Sequence, residues 1–223
     1  MQKYVYLHFV TYFGKMRQDA ITQLGSTPFT LEVLSAVYPN CKQITDKARR
    51  LEQEGRILRL KRGLYVRSAA DGATPDTHLM ANHIYGPSYV SLRSALRYHG
   101  LVPERVVATE SMCLKHSRSF DTPFGRFIYH ACSNPYFALG IQMQSAGTGH
   151  CLIATPEKAL CDLMTVTPGI AFRNSKKLVT YLEQDLRIDT DMLRDFSLGL
   201  IRHIHESATV KPQNIATLIK LLQ

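Results

Sequence analysis

Residues 42–66 read KQITDKARRLEQEGRILRLKRGLYV, and this stretch decides the fold of the N-terminal third of the chain. Its apolar residues recur about one helical turn apart at Ile44, Ala48 and Leu51, which predicts a helix from about Lys42 to Glu54. Gly55 stands where a glycine commonly ends a helix. Residues 56–66 then predict a β-hairpin, because two apolar runs flank a basic tip that contains Gly63.

Two shorter helical segments precede this stretch. Residues 20–24 present a short apolar face that ends at Gly25. A second helix is predicted from the candidate N-cap Thr30 to the stop at Tyr38-Pro39, and a tight turn, 38–41, follows it. A short helix, a tight turn and a helix with a basic face follow one another in the order of a helix-turn-helix, and the hairpin would then be its wing.

Positive charge is concentrated in the same region. The net charge is +9, and residues 1–70 hold 12 Lys and Arg against 5 Asp and Glu, whereas residues 71–223 hold 15 against 13. Such an excess is expected if this region meets a polyanion, and an ordinary solvated surface is the alternative that charge alone leaves open. Residues 51–66 resemble the wing of many winged-helix regulators, in which a glycine ends the recognition helix. That resemblance implies binding to double-stranded DNA; a winged helix that contacts protein is the alternative.

Ten side chains are therefore candidates for contact with DNA. The N-terminal half of a recognition helix enters the major groove first, so base edges are assigned to Gln43, Thr45, Asp46 and Lys47. Phosphate contacts are assigned to Arg49, Arg50, Lys61 and Arg62. The basic surface is completed by Lys42 and Arg59. Arg50 could instead pair with Glu54 one turn later, and Gln43 and Asp46 could be ordinary residues of a surface helix.

The remaining two thirds predict a second domain. Residues 68–75 are small, polar and end in Pro75, which suits a linker between domains at 1–70 and 75–223. Helices are predicted at Asp76–Tyr85, Ser91–His99, Lys158–Met164, Ser175–Leu186, Met192–His205 and Asn214–Leu222. Strands are predicted at Arg105–Met112, Phe124–His130, Tyr136–Met143 and Cys151–Ala154. The fold class is α+β: an N-terminal winged helix-turn-helix, then a mixed domain with a small antiparallel sheet and a helical tail. The first segment, Tyr4–Phe13, fits strand or helix, and a helix is favoured.

Two blocks of the second domain carry a further resemblance. The stretch YGPSYVSLRSAL at 85–96, continued by HGLVPE at 99–104, is similar to the start of the antitoxin domain of AbiEi-type proteins, and ATPEKALCDL at 154–163 is similar to a second block of that domain. With the wing, the resemblance spans roughly residues 15–190, whereas the tail beyond Asp191 matches nothing. It implies a cytoplasmic regulator that represses its own operon at DNA repeats and counteracts a co-encoded nucleotidyltransferase-like toxin.

Other function classes find less support in the sequence. The five cysteines form no C-x-x-C pair, no run of apolar residues is long enough to cross a membrane, and no cofactor motif is present. No constellation of acid, base and nucleophile can be assembled, so no enzyme is expected. The alternatives are a regulator without a toxin partner and a metal-dependent nuclease built on Glu157 and Asp162. Repeated half-sites would suit a homodimer.

Overall fold

The structure is a computed structural model that describes residues 20–103 and 107–223. The chain forms two compact units that meet in sequence between Pro75 and Asp76. The helix expected at Tyr4–Phe13 and the first residues of the strand expected at Arg105–Met112 lie outside the described residues. Within the described ranges, no helix is both long enough and apolar enough to span a membrane.

The first unit combines short helices with a three-stranded antiparallel sheet. Its elements are a 3₁₀ turn (Ala20–Leu24), β1 (Phe29–Thr30), α1 (Leu31–Val37), α2 (Ile44–Gln53), β2 (Ile57–Lys61) and β3 (Leu64–Arg67). The sheet order is β1-β3-β2, so the hairpin β2–β3 also pairs with the strand that leads into α1. A single core joins helices and sheet through Ile21, Phe29, Leu34, Ala48, Leu51, Ile57 and Tyr65.

The predicted order of helix, glycine and hairpin is confirmed, with one change of boundary. Helix α2 begins at Ile44 rather than Lys42, because Gln43 has a non-helical backbone with φ −124° and ψ 79°. Gly55 ends the helix with φ +68°, a left-handed conformation that costs glycine little. Gly63 adopts the same region at the tip of the hairpin, where φ is +77°.

The predicted linker is ordered structure. Residues Ala69–Asp71 form a 3₁₀ turn, and the Ser68 hydroxyl donates a hydrogen bond to the Gly55 carbonyl. Asp71 binds Arg56 and Arg67, both at 2.8 Å, so this segment closes the base of the hairpin. The segment was predicted as a linker between domains, and the boundary between the two units does fall at its end, but Ser68 and Asp71 belong to the first unit through their side-chain contacts.

The second unit is built on a mixed sheet. In its described part, six strands take the order β6-β7-β5-β4-β9-β8. Their bounds are β4 (Ser88–Val90), β5 (Ala108–Cys113), β6 (Arg118–Thr122), β7 (Gly125–Ala131), β8 (Ile141–Ala146) and β9 (Gly149–Ala154). Strands β5 and β7 pair in parallel, as do β4 and β9, while the other neighbours are antiparallel. The α+β class holds for the chain, but the expected small antiparallel sheet was wrong.

Helices of this unit pack on strands β4, β5 and β9. They are α3 (Thr77–Ile84), α4 (Leu92–Tyr98), α5 (Asn134–Phe137), α6 (Pro156–Val166), α7 (Ser175–Thr180), α8 (Leu198–Ser207) and α9 (Pro212–Leu221). A π-helical turn, Tyr181–Asp185, continues α7, and a 3₁₀ segment, Thr190–Asp195, precedes α8. Helix α6 starts as expected, since the Thr155 hydroxyl accepts the Lys158 backbone N–H and Pro156 occupies the first helical position.

Two local predictions in this unit were wrong, and two strands were missed. The strand expected at Tyr136–Met143 is helix α5 followed by strand β8, because the turn signal Ser133-Asn134-Pro135 starts a helix. The single helix expected at Met192–His205 is divided by the extended residues Phe196 and Ser197. Strands β4 and β6 were not predicted: β4 has three residues, and β6 reads RSFDT, with few apolar side chains.

Candidate nucleic-acid interface

Helix α2 separates an apolar face from a charged one. Ala48 and Leu51 are buried against the core, and Ile44 packs partly against it. The opposite side exposes most of the predicted contact residues, namely Lys42 and Gln43 before the helix and Thr45, Asp46, Arg49 and Arg50 within it. Apolar spacing thus fixes which side chains of the helix reach solvent.

Several of these exposed cations have acidic neighbours on the same unit. Arg50 pairs with Glu54 at 3.4 Å, which is the i, i+4 alternative foreseen from the sequence, and Arg49 lies 4.0 Å from Asp46. Both pairs are well exposed, so each contributes little to stability and can exchange partners readily. These arginines therefore remain chemically able to meet a phosphate, in competition with their own carboxylates.

Arg59 makes the closest of these contacts. Its Nη2 atom donates to Glu52 Oε2 at 2.6 Å, and its guanidinium carbon lies 5.6 Å from the centre of the Tyr65 ring. The hydrogen bond to Glu52 and the charge of that carboxylate raise the pKa of Arg59 above its usual range. Because Glu52 belongs to α2 and Arg59 to β2, this ion pair attaches the hairpin to the exposed side of the helix.

The hairpin tip carries two more cations. Lys61 pairs directly with Leu64 across the strands, so Arg62 and Gly63 form the turn between them. Arg62 is exposed and Lys61 is half-buried. Within residues 20–103 and 107–223, neither Arg62 nor Lys42 has an ion-pair partner, which distinguishes them from Arg49, Arg50 and Arg59.

Lys47 lies apart from this tip, beside the turn between α1 and α2. Its Nζ atom is 4.5 Å from the centre of the Tyr38 ring, a cation–π contact. Both residues line a depression of about 610 Å³ together with Val37, Pro39, Asn40, Cys41, Asp46 and Arg50. The structure thus brings Asp46, Lys47 and Arg50 to one concave surface and places Arg59, Lys61 and Arg62 on the hairpin.

Two basic residues of this region have a structural role that the sequence did not reveal. Arg67 is buried, and it donates to the carboxylate and main-chain carbonyl of Asp71 and to the carbonyls of Thr22 and Gly25. Arg56 donates to the other oxygen of Asp71 at 2.8 Å. The sequence did not predict these contacts, because Asp71 was interpreted as one polar residue of a linker.

In the second unit, the carboxylates considered for a nuclease have structural partners. Glu157 Oε1 accepts the Ser197 backbone N–H at 2.9 Å. Asp162 Oδ2 accepts the hydroxyls of Tyr89 at 3.0 Å and Ser91 at 2.6 Å. Among the residues that the structure describes, no group of three or more His, Cys, Asp or Glu side chains is arranged to hold a metal ion.

Lys158 of helix α6 is fully buried. Its Nζ atom lies 3.2 Å from Asp162 Oδ1 and donates to the Tyr136 carbonyl at 2.8 Å. Burial lowers the pKa of Lys158, and the charge of Asp162 opposes that shift. Lys158 and Asp162 thus form a buried ion pair one helical turn apart.

Comparison with protein-family models finds none that matches this chain, and a search of curated proteins finds no match either.

Proposed function

We propose that this protein binds double-stranded DNA through its first unit, which acts as a winged helix-turn-helix. Helix α2 would enter the major groove as the recognition helix, and the hairpin β2–β3 would be the wing. The observation that carries the proposal is the ion pair of Arg59 with Glu52, which attaches the hairpin to the exposed side of the basic helix. The shared apolar core, with Leu51 of the helix and Ile57 and Tyr65 of the hairpin, holds the cations of both elements in one compact unit.

The residues divide into roles by position and by partner. Gln43, Thr45 and Asp46 stand at the start of α2 and are the candidates for base edges. Lys42 and Arg62 are exposed and have no ion-pair partner in the described ranges, so they are the first candidates for phosphate contact. Arg49, Arg50 and Arg59 would join them by exchanging an acidic side chain for a phosphate.

A salt series with a double variant tests this proposal. Binding of the full chain to a duplex from upstream of its own gene is followed by fluorescence anisotropy, with a scrambled duplex for comparison. Lys61→Ala/Arg62→Ala should weaken binding to both duplexes and reduce the slope of log affinity against log salt by about 1.8, since each phosphate contact contributes about 0.9. Lys176→Ala/Lys177→Ala, which removes two exposed charges from the second unit, is the matched control. Unchanged affinity and slope in the hairpin variant would refute the wing.

We also propose that the protein is the antitoxin of a toxin–antitoxin pair and represses its own operon. The support is a contact between the two blocks that resemble AbiEi-type antitoxins: Tyr89 and Ser91 of the first block donate to Asp162 of the second. Tyr89 and Ser91 precede Asp162 by 73 and 71 positions in the sequence, yet the three side chains form one buried polar cluster. A regulator without a toxin partner could have the same buried cluster. A separate experiment is therefore needed to distinguish an antitoxin from such a regulator.

That experiment uses the product of the neighbouring gene. If that gene encodes a nucleotidyltransferase, its expression should arrest growth, and co-expression of this chain should restore growth. The full chain carrying Lys61→Ala/Arg62→Ala, expressed from an unrelated promoter, should rescue equally well, because neutralisation would not depend on DNA binding. Absence of rescue by both forms would leave transcriptional regulation as the function and would reject the antitoxin.

A further inference from the structure

An aromatic cluster lies against strand β6, which is an edge strand of the sheet in the described part of the second unit. The ring centre of Phe120 lies 5.6 Å from that of Tyr85 and 5.8 Å from that of Tyr129, and the two tyrosine rings are 5.3 Å apart. Tyr129 is buried, whereas Tyr85 and Phe120 are partly exposed. The edge of the sheet therefore presents two aromatic side chains to solvent, and a buried ring supports both.

Each of the two partly exposed rings has a cation over it. Lys115 Nζ lies 5.4 Å from the centre of the Tyr85 ring, and the guanidinium carbon of Arg118 lies 5.0 Å from the centre of the Phe120 ring. Both cations are exposed, and within residues 20–103 and 107–223 neither has an ion-pair partner. A cation–π contact at an exposed site is weak, so both cations remain able to meet an anion.

The carboxylate of this edge lies on the opposite face of the sheet. Phe120 pairs with Phe127 and Arg118 with Tyr129 across β6 and β7, so these four side chains share one face. Asp121 follows Phe120 directly and is the one carboxylate of the two strands. Side chains alternate between faces along a strand, so the face with the aromatic rings has positive charge and no carboxylate from β6 or β7.

Most of the net charge of the second unit belongs to this edge. Residues 114–126 hold three Lys and Arg against one Asp, whereas residues 76–113 and 127–223 together hold 12 Lys and Arg against 11 Asp and Glu. Positive charge in this unit is therefore local, and it coincides with the exposed aromatic rings. A clustered positive surface of this kind attracts a polyanion.

Cations over exposed rings match the chemistry of a single nucleic-acid strand. Such a strand offers phosphates to Lys and Arg and unstacked bases to aromatic side chains. A duplex keeps the faces of its bases stacked inside, so it could use the two cations and not the rings.

We propose that the aromatic edge, formed by Tyr85, Lys115, Arg118 and Phe120, binds single-stranded nucleic acid. Bases would stack on Tyr85 and Phe120, and phosphates would meet Lys115 and Arg118. This site lies wholly in the second unit and does not depend on the DNA-binding role proposed for the first unit.

Fluorescence anisotropy of the full chain tests the proposal with labelled oligouridylate and oligothymidylate strands of about 12 nucleotides. All proteins also carry Lys61→Ala/Arg62→Ala, so that the hairpin of the first unit contributes little to the measurement. Both strands should bind, because RNA and DNA share phosphates and base faces. Lys115→Gln/Arg118→Gln should reduce the slope of log affinity against log salt by about 1.4, since each phosphate contact to a single strand contributes about 0.7.

The matched control for these charges is Lys176→Gln/Lys177→Gln, which removes two exposed cations of the same unit and should leave the slope unchanged. Failure of either strand to bind at micromolar protein concentration in low salt would overturn the proposal. So would an equal loss of slope in the two double variants.

Phe120→Trp separates stacking from charge. The chain contains no tryptophan, so the emission of this variant reports on position 120 alone. A single strand should quench that emission, and a duplex should leave it unchanged, because only the strand has bases available to stack. Emission that the single strand does not alter would overturn stacking at this position.

Phe120→Leu removes the ring and keeps an apolar side chain against Tyr85 and Tyr129. Affinity for the single strand should fall about tenfold, the effect of losing one stacked base. Tyr98→Leu removes a ring that is 45% exposed elsewhere in the second unit and should leave affinity unchanged. Melting temperatures verify that both variants are folded, and the tryptophan variant decides if Phe120→Leu is not. Equal affinities of a folded Phe120→Leu variant and its parent would overturn the assignment.

Discussion

Arg59 Nη2 lies 2.6 Å from Glu52 Oε2, and this ion pair links strand β2 to helix α2 across the surface proposed to face DNA. The pair is half exposed on the arginine side. It therefore contributes little to folding but holds a cation away from other anions.

Removal of the Glu52 charge should strengthen DNA binding. In Glu52→Gln, Arg59 becomes available to a phosphate, so affinity at low salt should rise and the salt slope should steepen by about 0.9. Fluorescence anisotropy across a salt series measures both. Asp185→Asn removes an exposed negative charge from the second unit and serves as the control. Equal slopes for Glu52→Gln and the original protein would show that Arg59 stays away from the phosphates.

Asp71→Asn should destabilise the first unit. The substitution leaves Arg67, which is buried, and Arg56 without their shared carboxylate, and breaking a buried ion pair costs about 3 kcal/mol. Urea unfolding followed by circular dichroism measures the loss. Asp121→Asn disrupts an exposed pair with Arg126 and should change the free energy of unfolding by less than about 0.5 kcal/mol. Similar losses in the two variants would contradict a structural role specific to Asp71.

Gly140→Ala should be more damaging than Gly169→Ala. Both glycines have left-handed backbones, with φ of +63° and +73°, so each alanine carries a conformational cost of about 1 kcal/mol. A methyl group at 140 would also stand 2.8 Å from Lys158 Cβ, whereas nothing lies within 4 Å at 169. We expect a further loss of about 1–3 kcal/mol at Gly140 from this overlap, measured by thermal unfolding. Equal losses of stability in the two variants would mean that Lys158 and its neighbours move to accommodate the added methyl group at little cost.

Stability of the second unit should fall as the solution is acidified. Burial lowers the pKa values of His78 and His130 in the folded state, against opposing effects of Asp76 and Asp162. The unfolded chain therefore takes up protons first, and stability is lost as the pH falls below about 6.5, the unfolded value for histidine. Melting temperatures between about pH 7.5 and pH 5 measure this loss. His78→Gln/His130→Gln should flatten the profile, and an unchanged profile would assign the loss to other groups.

The first unit was the part of the fold that the sequence described best. Apolar spacing at Ile44, Ala48 and Leu51 and the glycines at 55 and 63 act over a few residues, and local signals of this kind place helices and hairpins well. The candidate contact residues could be named for the same reason. Only some of their acidic partners could be predicted. The pair of Arg50 with Glu54 lies within one helix and was predicted, whereas the pair of Arg59 with Glu52 joins a strand to a helix and was not.

In the second unit, the features that depend on contacts between residues far apart in the sequence could not be predicted. Val90 pairs in parallel with Ile153, which is 63 positions later in the sequence. Neither short strand contains a local sequence pattern that indicates which strand it pairs with. Lysines are rarely buried, so the sequence alone does not predict the burial of Lys158. Its burial depends on Asp162, one turn later on α6, and on carbonyl and ring contacts from Tyr136.

The carboxylates of Glu52 and Glu54 have one further consequence if the first unit binds DNA. Each stands beside an arginine and acts as a competing anion built into the protein itself. A random stretch of genome offers phosphates but no matching base edges. Binding there gains the least free energy in return for displacing the two carboxylates from their arginines. Residence at such sites would be short, and the protein could move on quickly in its search. The acidic side chains would thus limit retention on bulk DNA and leave discrimination to the start of α2.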